Sequence, residues 1–274
     1  MRESRRQDMA TRSATDSHQE AVSTDGFDVR EISLETPWRW VRLGWQDLSH
    51  SPVVSLSYGL MFAVVSAVIA WCMFELDASS VLLPLAAGFM LVGPVLAMGL
   101  YETSRRLEEG RQPTFAAALR ALLGSSNQVR FFGVILMFIL LVWMRIATLI
   151  FALFFGMEYP PLGDFIGSLL FTPAGLGMLV TGTAVGAVFA FIVFAISAVS
   201  IPLLMDRDVD AVTAAAVSVK SVIRNPGAMI LWGWIISVLM MVGIATAFLG
   251  LVVAFPLVGH ATWHAYRDLV AVKG

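Results

Sequence analysis

Five long apolar stretches decide what this chain can fold into: Val53 to Phe74, Val81 to Tyr101, Phe131 to Phe155, Gly177 to Leu204 and Ala228 to Tyr266. A helix rises about 1.5 Å per residue, so roughly 20 apolar residues cross the ~30 Å hydrocarbon layer of a bilayer. Inside lipid a spanning segment must satisfy its own backbone, which leaves helices and closed barrels. Pro84, Gly88, Gly93-Pro94 and Gly99 interrupt the second stretch. They would break a soluble helix but are tolerated where neighbouring helices satisfy the freed carbonyls. The composition, 58% hydrophobic and 14% charged, departs from the roughly 25% charged residues of a soluble domain. The fold class expected is an all-α polytopic membrane protein.

The last stretch is too long for one ordinary span and barely long enough for two, with Gly243, Gly250 and Pro256 as places to turn. Charge decides between five spans and six. With six, seventeen of the eighteen lysines and arginines fall on one side, and the loops of the other side carry only Glu75, Asp77, Glu158 and Asp164. The positive-inside rule then predicts both termini in the cytoplasm. Six spans arrange as three units, approximately 36–110, 111–207 and 208–274, each a surface helix followed by a transmembrane hairpin. Pro52, Gln128 and Pro226 align at the breaks, and Pro94, Pro202 and Pro256 recur in the second helix of each unit.

Residues 1–35 are polar, mixed in charge and without an apolar run, which predicts a disordered cytoplasmic tail and no cleaved leader. The membrane domain is expected to fill 36–274. Thr36-Pro37 reads as an N-cap followed by proline at the first helical position. Trp38, Val41, Trp45 and Leu48 recur at helical spacing opposite Arg39, Arg42 and Gln46, a pattern suited to the headgroup layer.

Few residues carry chemistry. Arg145 is the one cation outside the charge partition and lies within a span. An arginine at the bilayer centre costs about 2.5–3.5 kcal/mol on insertion scales, so it is expected to face the bundle, bonding freed carbonyls or an anionic ligand. His260 and His264 stand four apart on one helix face and offer two ligands of a metal site, which is too few alone. Arg105 and Arg106, with Lys220 and Arg224, suit anionic lipid headgroups as well as they suit topogenic charge. Cys72 is the single cysteine, so no internal disulfide is available, and the net charge of −2 gives no basic field for nucleic acid. Gly182 and Gly186 form a GxxxG spacing that permits close helix approach. No phosphate loop, G-x-S-x-G or H-E-x-x-H is present. The sequence calls for no cofactor and no enzyme activity.

Trp45-Gln-Asp-Leu, Ser57-Tyr-Gly-Leu, Val92-Gly-Pro-Val-Leu-Ala-Met-Gly-Leu-Tyr-Glu102, Arg207-Asp-Val-Asp-Ala-Val and Gly259-His-Ala-Thr-Trp-His-Ala-Tyr-Arg-Asp268 resemble a bacterial integral-membrane family, domain of unknown function 2189, over roughly residues 35 to 270. The resemblance implies a bacterial cytoplasmic-membrane protein and supplies no activity. The function expected is an accessory or scaffold protein, its partners the lipid bilayer and other membrane proteins. The alternatives are a small transporter or lipid- or anion-handling protein with a cleft around Arg145, and a redox accessory holding haem or metal at His260 and His264.

Overall fold

The structure, a computed structural model, describes residues 26–75, 82–156 and 162–272. Its order is β1 (Phe27–Val29), α1 (Thr36–His50), α2 (Pro52–Glu75), α3 (Leu82–Leu96), α4 (Met98–Glu108), α5 (Phe115–Leu123), α6 (Asn127–Phe155), α7 (Leu162–Phe171), α8 (Pro173–Ser197), α9 (Ser200–Asp206), α10 (Ala211–Arg224), α11 (Pro226–Ala245), α12 (Leu251–Leu269) and β2 (Val270–Val272). Among the described residues five helical segments are long and apolar enough to cross a membrane: Pro52–Glu75, Pro84–Glu108, Asn127–Phe155, Pro173–Asp206 and Pro226–Ala245.

The expected sixth crossing is a helix of a different kind. α12 follows α11 after a short turn in which Ala247 and Phe248 have positive φ, and it packs back against α11. Its second half carries His260, Thr262, His264, Arg267 and Asp268, too polar for a lipid-facing span. Instead α12 is the centre of the fold, held between α1, α2, α4 and α11, with thirteen of its residues buried. The close approach is set by glycine on the neighbours. A Cβ at Gly44 would stand 2.8 Å from the Ala261 nitrogen and 2.9 Å from the Leu257 carbonyl, and one at Gly59 would fall on the Val252 carbonyl. A second group, α3, α6, α7 and α8, packs to the side.

Both interrupted spans satisfy their freed backbone groups locally. Between α3 and α4 the chain tightens at Ala97, the Leu100 N–H bonds Ala97 O at 2.8 Å, and the Leu96 carbonyl accepts from Tyr58 Oη at 2.8 Å. The Pro84 carbonyl accepts from Trp143 Nε1 at 2.9 Å. Between α8 and α9, Ser218 Oγ accepts from the Val199 N–H at 3.3 Å while Ser200 Oγ donates to Ala214 O at 3.0 Å.

Two expectations near the N-terminus need correction. Residues 26–35, assigned to a disordered tail, are built into the fold; residues 1–25 lie outside the described residues. β1 pairs antiparallel with β2, Val29 is buried, and Asn225 accepts from the Ile32 N–H and donates to Arg30 O. Phe27, Val29 and Ile32 supply the apolar contacts a disordered tail lacks, and the C-terminal strand supplies backbone partners. In α1, Glu35 rather than Thr36 occupies the N-cap. Its buried stripe is Pro37, Trp40, Gly44 and Leu48, leaving Trp38 and Trp45 exposed. Trp40 meets Trp232 edge-on, centroids 5.5 Å apart.

Candidate functional site

The sequence pairs His260 with His264; the fold gives each a different neighbourhood. His260 is fully buried on α12. Its Nε2 lies 2.9 Å from Ser55 Oγ on α2 and its Nδ1 2.8 Å from Ser104 Oγ on α4. Ser104 donates its hydroxyl to Asp47 Oδ2 at 2.6 Å, and the same carboxylate oxygen is 2.9 Å from His264 Nε2. The directions follow. Ser104 has one proton and gives it to Asp47, so His260 Nδ1 carries a hydrogen and His260 Nε2 accepts from Ser55. Burial works against charge on Asp47, yet hydrogen bonds from His264 and Ser104 outweigh it and hold its carboxyl below the usual range.

This Ser–His–Ser–Asp chain has the spacing of a nucleophile, base and orienting carboxylate. Its reactive end is sealed, because Ser55 and His260 are both fully buried and neither described cavity is lined by them. What the arrangement does is join α1, α2, α4 and α12 through one polar seam. The same geometry bears on the metal role expected of His260 and His264. Both His260 nitrogens are taken by hydroxyls, and no group of three potential ligands assembles among the described residues. None of these serine and aspartate partners was singled out by spacing, since Asp47 and His264 lie 217 positions apart.

Around the seam, polar contacts gather at one end of the molecule. Trp40 Nε1 donates to Asp268 at 2.7 Å and Arg39 pairs with the same carboxylate. Arg267 and Trp263 reach Glu108, and Tyr266 Oη donates to Asp206 at 2.7 Å.

Arg145 is the largest departure from expectation. Its side chain is exposed, with no hydrogen bond or ion pair among the described residues, and it lines neither described cavity. The reason is rotational. α6 buries Val129, Phe132, Leu136, Trp143, Ala147, Ile150 and Phe151, and Arg145 is nine residues from Leu136, about 180° around the helix. Two of the carbonyls near the breaks expected to attract it are already served: Tyr58 donates to Leu96 O and Trp143 to Pro84 O. Exposed Leu141 and Leu149 flank it on the same outer face.

The four expected headgroup cations separate into two places. Arg105 and Arg106 line a cleft of about 310 Å³ together with Arg120, Gly124, Ser125 and Ser126. Lys220 and Arg224 sit on α10 away from it, and Arg224 pairs with Asp28 and Glu31. A second cavity of about 280 Å³ is lined by Arg30, Arg207 and Arg267, two of which pair with Asp206.

Compared with known families, residues 82–206 match the model described as "Predicted integral membrane protein (DUF2189)". The matched segment contains Val92–Glu102 and ends just before Arg207; the quoted stretches at Trp45, Ser57 and Gly259 lie outside it. No curated protein and no solved structure matches the chain.

Proposed function

Since residues 82–206 carry an integral-membrane family segment, we propose that this membrane protein is a non-enzymatic accessory protein of the bacterial cytoplasmic membrane that docks the outer face of α6 on another protein's transmembrane helix. The observation that carries this reading is Arg145, exposed among Leu141 and Leu149 with no acceptor among the described residues. It stands ten residues before Phe155, about 15 Å along the helix, farther than a guanidinium can snorkel to the interface. Left in hydrocarbon it costs about 2.5–3.5 kcal/mol; a carboxylate on a facing helix removes that cost. A second copy of the chain cannot supply the group. Among its candidate spans Glu75, Glu108 and Asp206 lie at helix ends, and Glu102, within a span, is buried and already held by Arg105 and Arg106. The occupant is therefore a helix of a different protein bearing Asp or Glu near mid-membrane.

Photo-crosslinkers at Leu141 and Leu149 in native membranes test this. The expected product is a discrete protein adduct whose cross-linked peptide holds an apolar span with a carboxylate, lost in Arg145→Gln. Lipid-sized adducts alone, indifferent to Arg145, contradict it. The rivals fare less well. A transport cleft around Arg145 draws no support from the two described cavities, neither of which it lines, and haem or metal at His260 and His264 would compete with the hydroxyls on both His260 nitrogens.

The same reading has six crossings in three units, with both termini in the cytoplasm. It is supported by the charge partition and by the contacts that gather β1, α4, α9 and β2 at one end. Reporter fusions at Gly110, Asp210 and Gly274 should behave as cytoplasmic and those at Ala78 and Gly163 as periplasmic. A periplasmic signal at Gly274 contradicts six crossings.

A further inference from the structure

The cleft between α4, α5 and the start of α6 combines surplus positive charge with an apolar floor. Glu102 is buried and its two oxygens divide the two arginines of α4. Oε2 takes Nε of Arg105 at 2.9 Å and Oε1 takes Nε of Arg106 at 2.7 Å. A guanidinium has five N–H donors, so each arginine is fixed in direction by this carboxylate with donors left over. The third, Arg120, comes from α5. It bonds only the Ala116 carbonyl of its own helix, at 3.1 Å, and no carboxylate pairs with it among the described residues. Three cations against one carboxylate leave the cleft with two formal positive charges.

The rest of the lining matches a particular kind of anion. Ser125 and Ser126 lead into α6. Ser126 caps Val129 N–H, leaving the first N–H groups of a 29-residue helix without intrahelical partners and its positive dipole end at the cleft. Met98, Leu204 and Met205 close the inner wall, so an occupant must present an anionic head beside an apolar body. On α5 the neighbouring Phe115 and Leu123 are exposed, apolar side chains on the outside of a short helix with Arg120 between them, as in a helix lying at the headgroup level. The second basic cavity has a smaller surplus, because Arg207 and Arg267 share Asp206 and Arg267 also holds Glu108, which leaves Arg30 alone in excess.

We infer that the cleft formed by Arg105, Arg106, Arg120 and the Ser125–Ser126 turn is a binding site for a phosphate group. Planar guanidinium forks aimed by a buried carboxylate suit phosphate oxygens in pairs. The group has two sources, the headgroup of an anionic phospholipid or a soluble phosphate, and their shared chemistry is what the arginines recognise.

Arg120 is the residue to change. Arg105 or Arg106 would leave Glu102 half-paired and disturb the fold, whereas Arg120 is exposed and holds no other element. The full chain is purified in neutral detergent and offered phosphatidylglycerol, phosphatidylcholine or inorganic phosphate. Bound lipid is read by native mass spectrometry and phosphate by thermal shift. The expected result is one tightly held phosphatidylglycerol, little phosphatidylcholine, and affinity weaker by about tenfold or more in Arg120→Gln, the loss of one charge-assisted contact. Lys220→Gln, which removes the same charge off the cleft, should bind as the wild type does. A thermal shift with inorganic phosphate that depends on Arg120, with no lipid preference, supports the site and assigns it to the soluble source. If neither probe depends on Arg120, or if Lys220→Gln weakens binding equally, the inference is wrong. Arg145 plays no part in this test, so its outcome is separate from that of the α6 docking reading.

Discussion

α6 and α12 are opposites in a way that composition alone would misread. α6 is 29 residues, apolar along nearly its whole length, and buries seven of them. α12 is 19 residues, carries two histidines, an arginine and an aspartate, and buries thirteen. In water the apolar helix would be the core and the polar one the surface. Lipid removes the penalty for exposing Leu, Val and Phe, so apolarity no longer argues for burial. Polar groups then collect where other polar groups can satisfy them. His260 is at the centre because Ser55, Ser104 and, through Ser104, Asp47 are there to meet it. Arg145 breaks that rule within this chain, which is why its partner is sought outside it.

The sharpest break of the comparison is His260→Leu. It takes a buried bond from each of two hydroxyls, leaving the Ser55 proton without its histidine acceptor while Ser104 keeps Asp47, and an orphaned buried group costs about 1–3 kcal/mol. Unfolding in detergent should show a loss of roughly 2–4 kcal/mol, with Ser55→Ala alone costing less. Next comes Gly59→Ala, whose methyl would fall on the Val252 carbonyl of α12; overpacking of this kind costs about 1–3 kcal/mol. The matched change Gly182→Ala on α8, where a Cβ meets nothing within 4 Å, should leave the melting temperature unmoved.

A smaller effect is pH-dependent. The folded state holds Asp47 below the usual carboxyl range. Its stabilising contribution is therefore complete above the unfolded aspartate value, about 3.9, and is lost as pH falls through the lower folded value. The melting temperature of the wild type should drop below about pH 4 by more than that of Asp47→Asn. The smallest effect belongs to α6. Arg145→Leu touches no internal partner, so stability in detergent should stay within about 0.5 kcal/mol of wild type. A larger loss would mean the guanidinium has an internal role.

Apolar length and composition were enough to read the helical membrane class, because both are one-dimensional properties of the chain. The faces of helices were not. In α1 the periodicity of Trp38, Val41, Trp45 and Leu48 described a real stripe, yet Trp40 is the tryptophan that is buried. Two faces of that helix are apolar, and only contact with α12 and Trp232 selects one. Arg145 was singled out as costly, but its direction depended on which carbonyls near the proline breaks, such as those of Pro84 and Leu96, other helices left free. Trp143 and Tyr58 decide that from other helices. The seam around His260 and the cleft at Arg120 join residues far apart in the chain. β1 escaped notice because three apolar residues in a polar segment have no meaning until β2 lies beside them.

The most direct test measures exposure on the two helices side by side. Single spin labels are placed, on a Cys72→Ser background, by Leu149→Cys and Arg145→Cys on α6 and by Val258→Cys and Ala261→Cys on α12. Power saturation in the presence of oxygen, which concentrates in hydrocarbon, then reports lipid access in reconstituted bilayers. The expected result is strong oxygen relaxation at 145 and 149 and little at 258 and 261. Strong relaxation along α12 with protection at 145 would reverse the arrangement and contradict it.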